Sequence, residues 1–123
     1  MKILILSPAN RMTRMLINSL QRADIPTDQL CQANEPGTAL AALERASPSV
    51  IFADVDNTPT EGLNFIRAVR NDPQWKNIPI IAVCPLNDGS IGDLAREAGA
   101  TVQIKTPFHI QEIRTRLAAA NII

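Results

Sequence analysis

Apolar residues fall along this chain in two alternating rhythms. Short, nearly unbroken runs occupy residues 2–6, 50–53, 78–83 and 101–104, and longer segments between them repeat their apolar positions every three to four residues. An unbroken run reads as a parallel strand covered on both faces, whereas the longer period reads as a helix with one buried stripe. The first helix has Asn10 at its cap position, with Met12, Met15, Leu16 and Leu20 inward and Arg11, Arg14, Asn18 and Gln21 outward. Asp24-Ile25-Pro26 turns the chain, and residues 30–33, flanked by Gln29 and Gln32, predict a weak strand near a sheet edge.

Pro36 suits the first turn of a second helix that buries Ala39, Leu40 and Leu43 and closes at Ser47-Pro48. A third helix is predicted from about residue 62 to 70, burying Leu63, Ile66 and Val69, and Asn71-Asp72-Pro73 breaks it. Pro79 belongs at the start of the fourth strand, where a missing N–H costs least. Ser90 with Asp93 reads as a capping box for a fourth helix that buries Leu94 and Ala98, and Gly99 supplies its left-handed end. After Pro107 a last helix turns Ile110, Ile113 and Leu117 inward and Gln111, Glu112, Arg114 and Arg116 outward. Strands alternating with helices of this length imply right-handed crossovers, hence a five-stranded, doubly wound α/β domain with helices on both faces of a parallel sheet. Residues 1–123 read as one such domain.

Composition narrows the function classes. Twelve basic and twelve acidic side chains cancel, which gives no electrostatic reason to expect nucleic acid or an anionic membrane as a broad-surface partner. Cys31 and Cys84 are far apart and read as two buried, reduced thiols rather than a disulfide or zinc site. No apolar stretch approaches a signal-peptide core or a membrane span, so a cytoplasmic protein is expected. Met12 and Met15 are helix-spaced core positions, Trp75 is expected to pack over the end of the third helix, and His109 reads as a capping or surface residue.

Candidate chemistry concentrates where residues 50–53 run into Asp54 and Asp56, with Pro59 and Gly62 close behind. An acid at the carboxyl end of a buried parallel strand stands where open α/β sheets hold their ligands.

In order and spacing, KILIL at the first strand, IFAD at the third, EGLNFIRAVR, NIPIIAV, REAGA and TPF resemble the receiver domain of bacterial two-component response regulators over essentially the whole chain. The resemblance places Asp54 at the phosphoacceptor position. It implies an acidic metal-binding pair at Ser7 and Pro8, a hydroxyl at Cys84, a small N–H donor at Pro85, a lysine at Thr106 and a switching aromatic at Gln103. Each of those positions is changed here. Lys105 stands one residue before the lysine position, where a regular strand points it to the other face. The resemblance also implies a cis bond at Thr106-Pro107.

An acyl phosphate gains a dianion that Mg²⁺ and an ammonium normally neutralise. With those helpers lost, the expected reading is a degenerate receiver that is not an enzyme, takes no cofactor and works by binding protein. The expected partner is a histidine kinase, an output domain or a second copy of the chain. Its expected interaction face is Arg96, Gln103, Lys105, Arg114 and Arg116. Two readings stay open beside it. One is a working phosphoacceptor modified at Asp54 by a histidine kinase, with Asp54 and Asp56 sharing Mg²⁺; otherwise Asp56 is a solvated loop acid. The other is a small nucleotide- or flavin-binding protein using the loop 7–10, although that loop has no glycine to wrap a phosphate.

Overall fold

Each strand is followed by a helix that carries the chain back across the sheet, so all four strand pairings are parallel. The computed structural model describes residues 1–123 as β1 (Lys2–Leu6), α1 (Asn10–Arg22), β2 (Gln29–Ala33), α2 (Pro36–Arg45), β3 (Val50–Asp54), α3 (Pro59–Asn71), β4 (Ile80–Pro85), α4 (Gly89–Ala98), β5 (Val102–Thr106) and α5 (Ile110–Ala119). The sheet order is β2-β1-β3-β4-β5, the five-stranded receiver arrangement expected from the sequence. The weak strand is indeed an edge: of β2 only Ala33 is buried, whereas all five residues of β3 are.

Period-two alternation divides the core between the two faces. Leu4, Leu6, Ile51, Ala53, Ala82 and Cys84 pack against α2, α3 and α4. Ile3, Ile5, Phe52, Ile81, Val83 and Ile104 pack against α1 and α5.

Several local expectations shift. Ala9, not Asn10, is the N-cap of α1, with no side-chain cap bond. Met15 is 38% exposed because Thr13 takes the buried position beside Met12 and Leu16. Helix α3 starts three residues early, at Pro59, since a first-turn proline loses no helical bond. Pro79 lies outside β4, which extends to Pro85. The cap of α4 is Asp88, whose carboxylate accepts from the Ser90 N–H at 3.1 Å. Gly92, Ala95 and Ala98 form its buried stripe and leave Leu94 38% exposed. Cys31 is exposed on the edge strand, while Cys84 is buried.

Two glycines and one arginine fix the helices against the sheet ends. A Cβ on Gly62 would stand 2.5 Å from the Asp54 carbonyl oxygen, so only glycine lets α3 approach the end of β3 this closely. Gly99 ends α4 at φ +118°, as predicted, and its carbonyl accepts from Arg70 Nε at 2.7 Å. Arg70 also donates to the carbonyls of Trp75 and Lys76 and to Thr101 Oγ1. Trp75 is buried beside it.

Candidate functional site

Because β1 and β3 are neighbours in parallel register, with Leu6 beside Ala53, their carboxyl ends bring Ser7 next to Asp54. Asp54 is 1% exposed. A buried carboxylate must find donors, and this one has four. Ser7 Oγ donates to Oδ2 at 2.7 Å and Asn57 Nδ2 donates to the same oxygen at 2.9 Å. The backbone N–H groups of Asp56 and Asn57 donate to Oδ1 at 2.9 and 3.0 Å. All four donors are neutral. Ser7 Oγ in turn accepts from the Ala9 N–H at 3.1 Å, which fixes the loop before α1.

Asn57 was not singled out by sequence reasoning. Its signal is local: an aspartate at a strand end that accepts backbone N–H groups two and three residues on makes an Asx-type turn, which carries the third residue's side chain back toward it.

Asp56 is half-buried and its Oδ2 accepts from Thr106 Oγ1 at 2.8 Å, joining the loop after β3 to the end of β5. The Thr106-Pro107 peptide is cis. Pro8 is exposed and offers no side-chain ligand. Cys84 lies on the α3–α4 face of the sheet, with Sγ 3.8 Å from the Ala82 carbonyl. Burial pushes its thiol up to about 11; the charge of Lys105 opposes this, and Asp56 and Asp54 add to it. Pro85 is half-buried and has no N–H to offer.

No bulge brings Lys105 inward. The register runs unbroken from Cys84 beside Lys105 to Pro85 beside Thr106, and Lys105 is exposed. Lys105 instead lines a cleft of about 520 Å³ with Arg96, Gln103, Glu112 and Arg116, between α4 and α5 along β5. Gln103 donates to the Gly92 carbonyl of α4 at 3.0 Å. Arg114 leaves this group: its Nε donates to the Ala23 carbonyl at 3.0 Å and its guanidinium pairs with Asp24 at 3.7 Å, tying α5 to the end of α1.

Neither Asp54 nor Asp56 takes part in an ion pair. They are the carboxylates of the site, and no group of three His, Cys, Asp or Glu side chains is placed to hold a metal. A hollow of about 300 Å³ opens above them between α1 and Pro107, with Arg11, Met15, Asp56 and Asn57 in its lining. Asp54 lies behind that lining rather than in it.

This geometry sits on a fold and sequence with many counterparts. The chemotaxis protein CheY1 of Helicobacter pylori is 27% identical over 118 residues, covering 95% of this chain and 94% of that protein. The CheY of Pseudomonas aeruginosa is 26% identical over 117 residues, covering 95% and 93%. The chemotaxis response regulator CheY4 of Vibrio cholerae superposes with a TM-score of 0.80 at 25% identity, covering 97% of each chain. Its homologues and structural neighbours are CheY-like receiver domains. The receiver domain of NtrX from Brucella abortus shares the fold at 18% identity with a TM-score of 0.83, covering 97% of each chain. No family model matches the chain. Asp54 ends β3, Ser7 and Pro8 follow β1, Cys84 and Pro85 end β4 and Thr106 ends β5; of these residues, Ser7 is the one that bonds Asp54. No helix is long and apolar enough to cross a membrane.

Proposed function

We propose that this chain is a degenerate receiver, a signalling module that acts through protein–protein contacts with little or no Mg²⁺-dependent phosphorylation of Asp54. One observation carries the reading: both oxygens of Asp54 are already held by neutral donors, and no cation pairs with the site. A phosphoryl group there would have to displace Ser7 and Asn57 and then rest on groups without charge. Each missing charge-assisted contact forfeits roughly 1.5–3 kcal/mol.

The residues present do not fit a hard dication either. Mg²⁺ calls for several oxygen ligands, commonly including carboxylates, and here Ser7 and Pro8 occupy the positions of the acidic pair. Thr106, in the lysine position, gives its hydroxyl to Asp56 instead of to an anion.

The working-phosphoacceptor reading draws on a different feature, the open hollow in which Asp56 and Thr106 meet solvent. Backbone NMR with Mg²⁺ and beryllofluoride separates the two. Unchanged amide resonances at Asp54, Asn57 and Thr106 are expected. Saturable shifts there, abolished in Asp54→Asn, would establish the phosphoacceptor instead.

A further inference from the structure

We infer that the open edge of β2 is a self-complementary interface, at which two copies of this chain join their sheets antiparallel about a two-fold axis at Cys31. The sheet has two outer edges, β2 and β5. A charge or a proline on an edge strand rejects a further strand. β5 carries Lys105 and is followed by Pro107, whereas Gln29-Leu30-Cys31-Gln32-Ala33 has no charge, proline or glycine. The free backbone groups of β2 follow from its pairing with β1. The Ser7 N–H donates to the Ala33 carbonyl at 3.0 Å, so the backbone of Ala33 faces β1, and alternation turns Gln29 and Cys31 the same way. Leu30 and Gln32 therefore aim their N–H and C=O groups outward, and no loop bonds to them.

Antiparallel pairing about Cys31 uses all of these groups. Leu30 exchanges both bonds with Gln32 of the second copy, Gln32 does the same with its Leu30, and the two Cys31 residues meet between them as a non-hydrogen-bonded pair. The side chains fit the same register. Gln29 falls opposite the buried, small Ala33, and Asp28 falls opposite Asn34, so no like charges meet across the strands. Helix α2 favours the same direction. It runs back along β2, so Glu35 stands at the carboxyl end of the strand, while Arg45 lines a hollow of about 410 Å³ with Asp28, Gln29 and Leu30 at the other. Both are exposed and neither has an ion-pair partner within the chain. The two-fold brings each Glu35 to the end where the other copy's Arg45 lies, whereas a parallel approach would set Glu35 against Glu35. The edge shares no residue with the acid pocket, so this interface goes beyond the degenerate-receiver reading and does not depend on it.

Sedimentation equilibrium of the whole chain under reductant is the test. A pair of five-residue strands with surface ion pairs makes a small interface, so a reversible dimer dissociating in the high-micromolar range is expected. Cys31→Ser should leave it intact. Cys31→Lys, which sets two ammonium groups across the axis at an exposed position, should weaken it roughly tenfold or more. Arg45→Glu should weaken it several-fold, and Glu35→Arg/Arg45→Glu should bring it back. The register is read separately with diamide, which takes two protons and two electrons from a pair of thiols to leave a disulfide. Cα atoms of a non-hydrogen-bonded pair stand about 4.5 Å apart, within disulfide reach, so the parent should cross-link through Cys31. Cys31→Ser/Gln29→Cys moves the two thiols about 13 Å apart along the strands and should not cross-link, although position 29 is exposed as well. A chain that stays monomeric into the millimolar range, a dimer indifferent to Cys31→Lys, a charge swap that fails to restore association, or equal cross-linking from positions 29 and 31 would each overturn the assignment. None of these outcomes touches Asp54, so the NMR experiment with Mg²⁺ and beryllofluoride judges the degenerate-receiver reading on its own.

Discussion

Removing the Ser7 hydroxyl takes away the shortest contact on Asp54, 2.7 Å, and leaves Oδ2 with Asn57 alone. It also strips the Ala9 N–H of its acceptor. Ser7→Ala should therefore cost about 1–3 kcal/mol of stability, read from urea unfolding, because a buried charged group is left short of a donor. Cys84 gives a second residue-scale expectation. Its thiol ionises at about 11 in the folded chain against an ordinary 9.0, so between those values the unfolded chain loses a proton that the fold retains. The stability this represents is whole below pH 9 and drains away as pH climbs toward 11, by at most about 2–3 kcal/mol. The chain has no tyrosine to blur that window. Urea midpoints of the parent and of Cys84→Val, followed from pH 8 to 10.5, should diverge with that sign; parallel curves would refute it.

At the scale of elements, Gly62 is the tightest joint. Gly62→Ala sets a methyl 2.5 Å from the Asp54 carbonyl oxygen and 2.8 Å from Val55 Cγ1, so α3 must back away from the strand that carries the acid. A loss of about 1–3 kcal/mol is expected, measured as a lower Tm, with amide shifts spreading to Asp56 and Asn57. The same elements show what the chain's pattern reveals. Strand count, order of elements, the weak edge and the Gly99 terminus were legible, because unbroken apolar runs and a left-handed glycine have one structural meaning each. Helix starts were less so: Pro59 and Asp88 open α3 and α4 ahead of the apolar stripe, and a cap leaves no trace in hydrophobic period. Met15 and Leu94 fit a helical stripe by spacing, yet stand at its rim, where small neighbours already fill the contact. At the site, the place of Asp54 at the end of a buried strand could be read from the unbroken apolar run before it. The role of Asn57 could not, since it depends on a loop folding back onto its own strand end.

Across the molecule, Arg70 is the one side chain that binds three segments at once: the end of α4 through Gly99, the start of β5 through Thr101 and the connection before β4 through Trp75 and Lys76. Arg70→Ala should cost about 1–3 kcal/mol and speed amide exchange along α4 and β5 ahead of β1 and β3. Trp75 sits at the amino-terminal end of the sheet, just before β4, whereas Asp54 closes β3 at the other end. With a single tryptophan and no tyrosine, the chain keeps its only strong chromophore away from the acid pocket. Its emission should redden when Arg70 is removed and stay dark to Asp54→Asn. Intrinsic fluorescence will thus announce melting faithfully and say nothing about what happens at the acid.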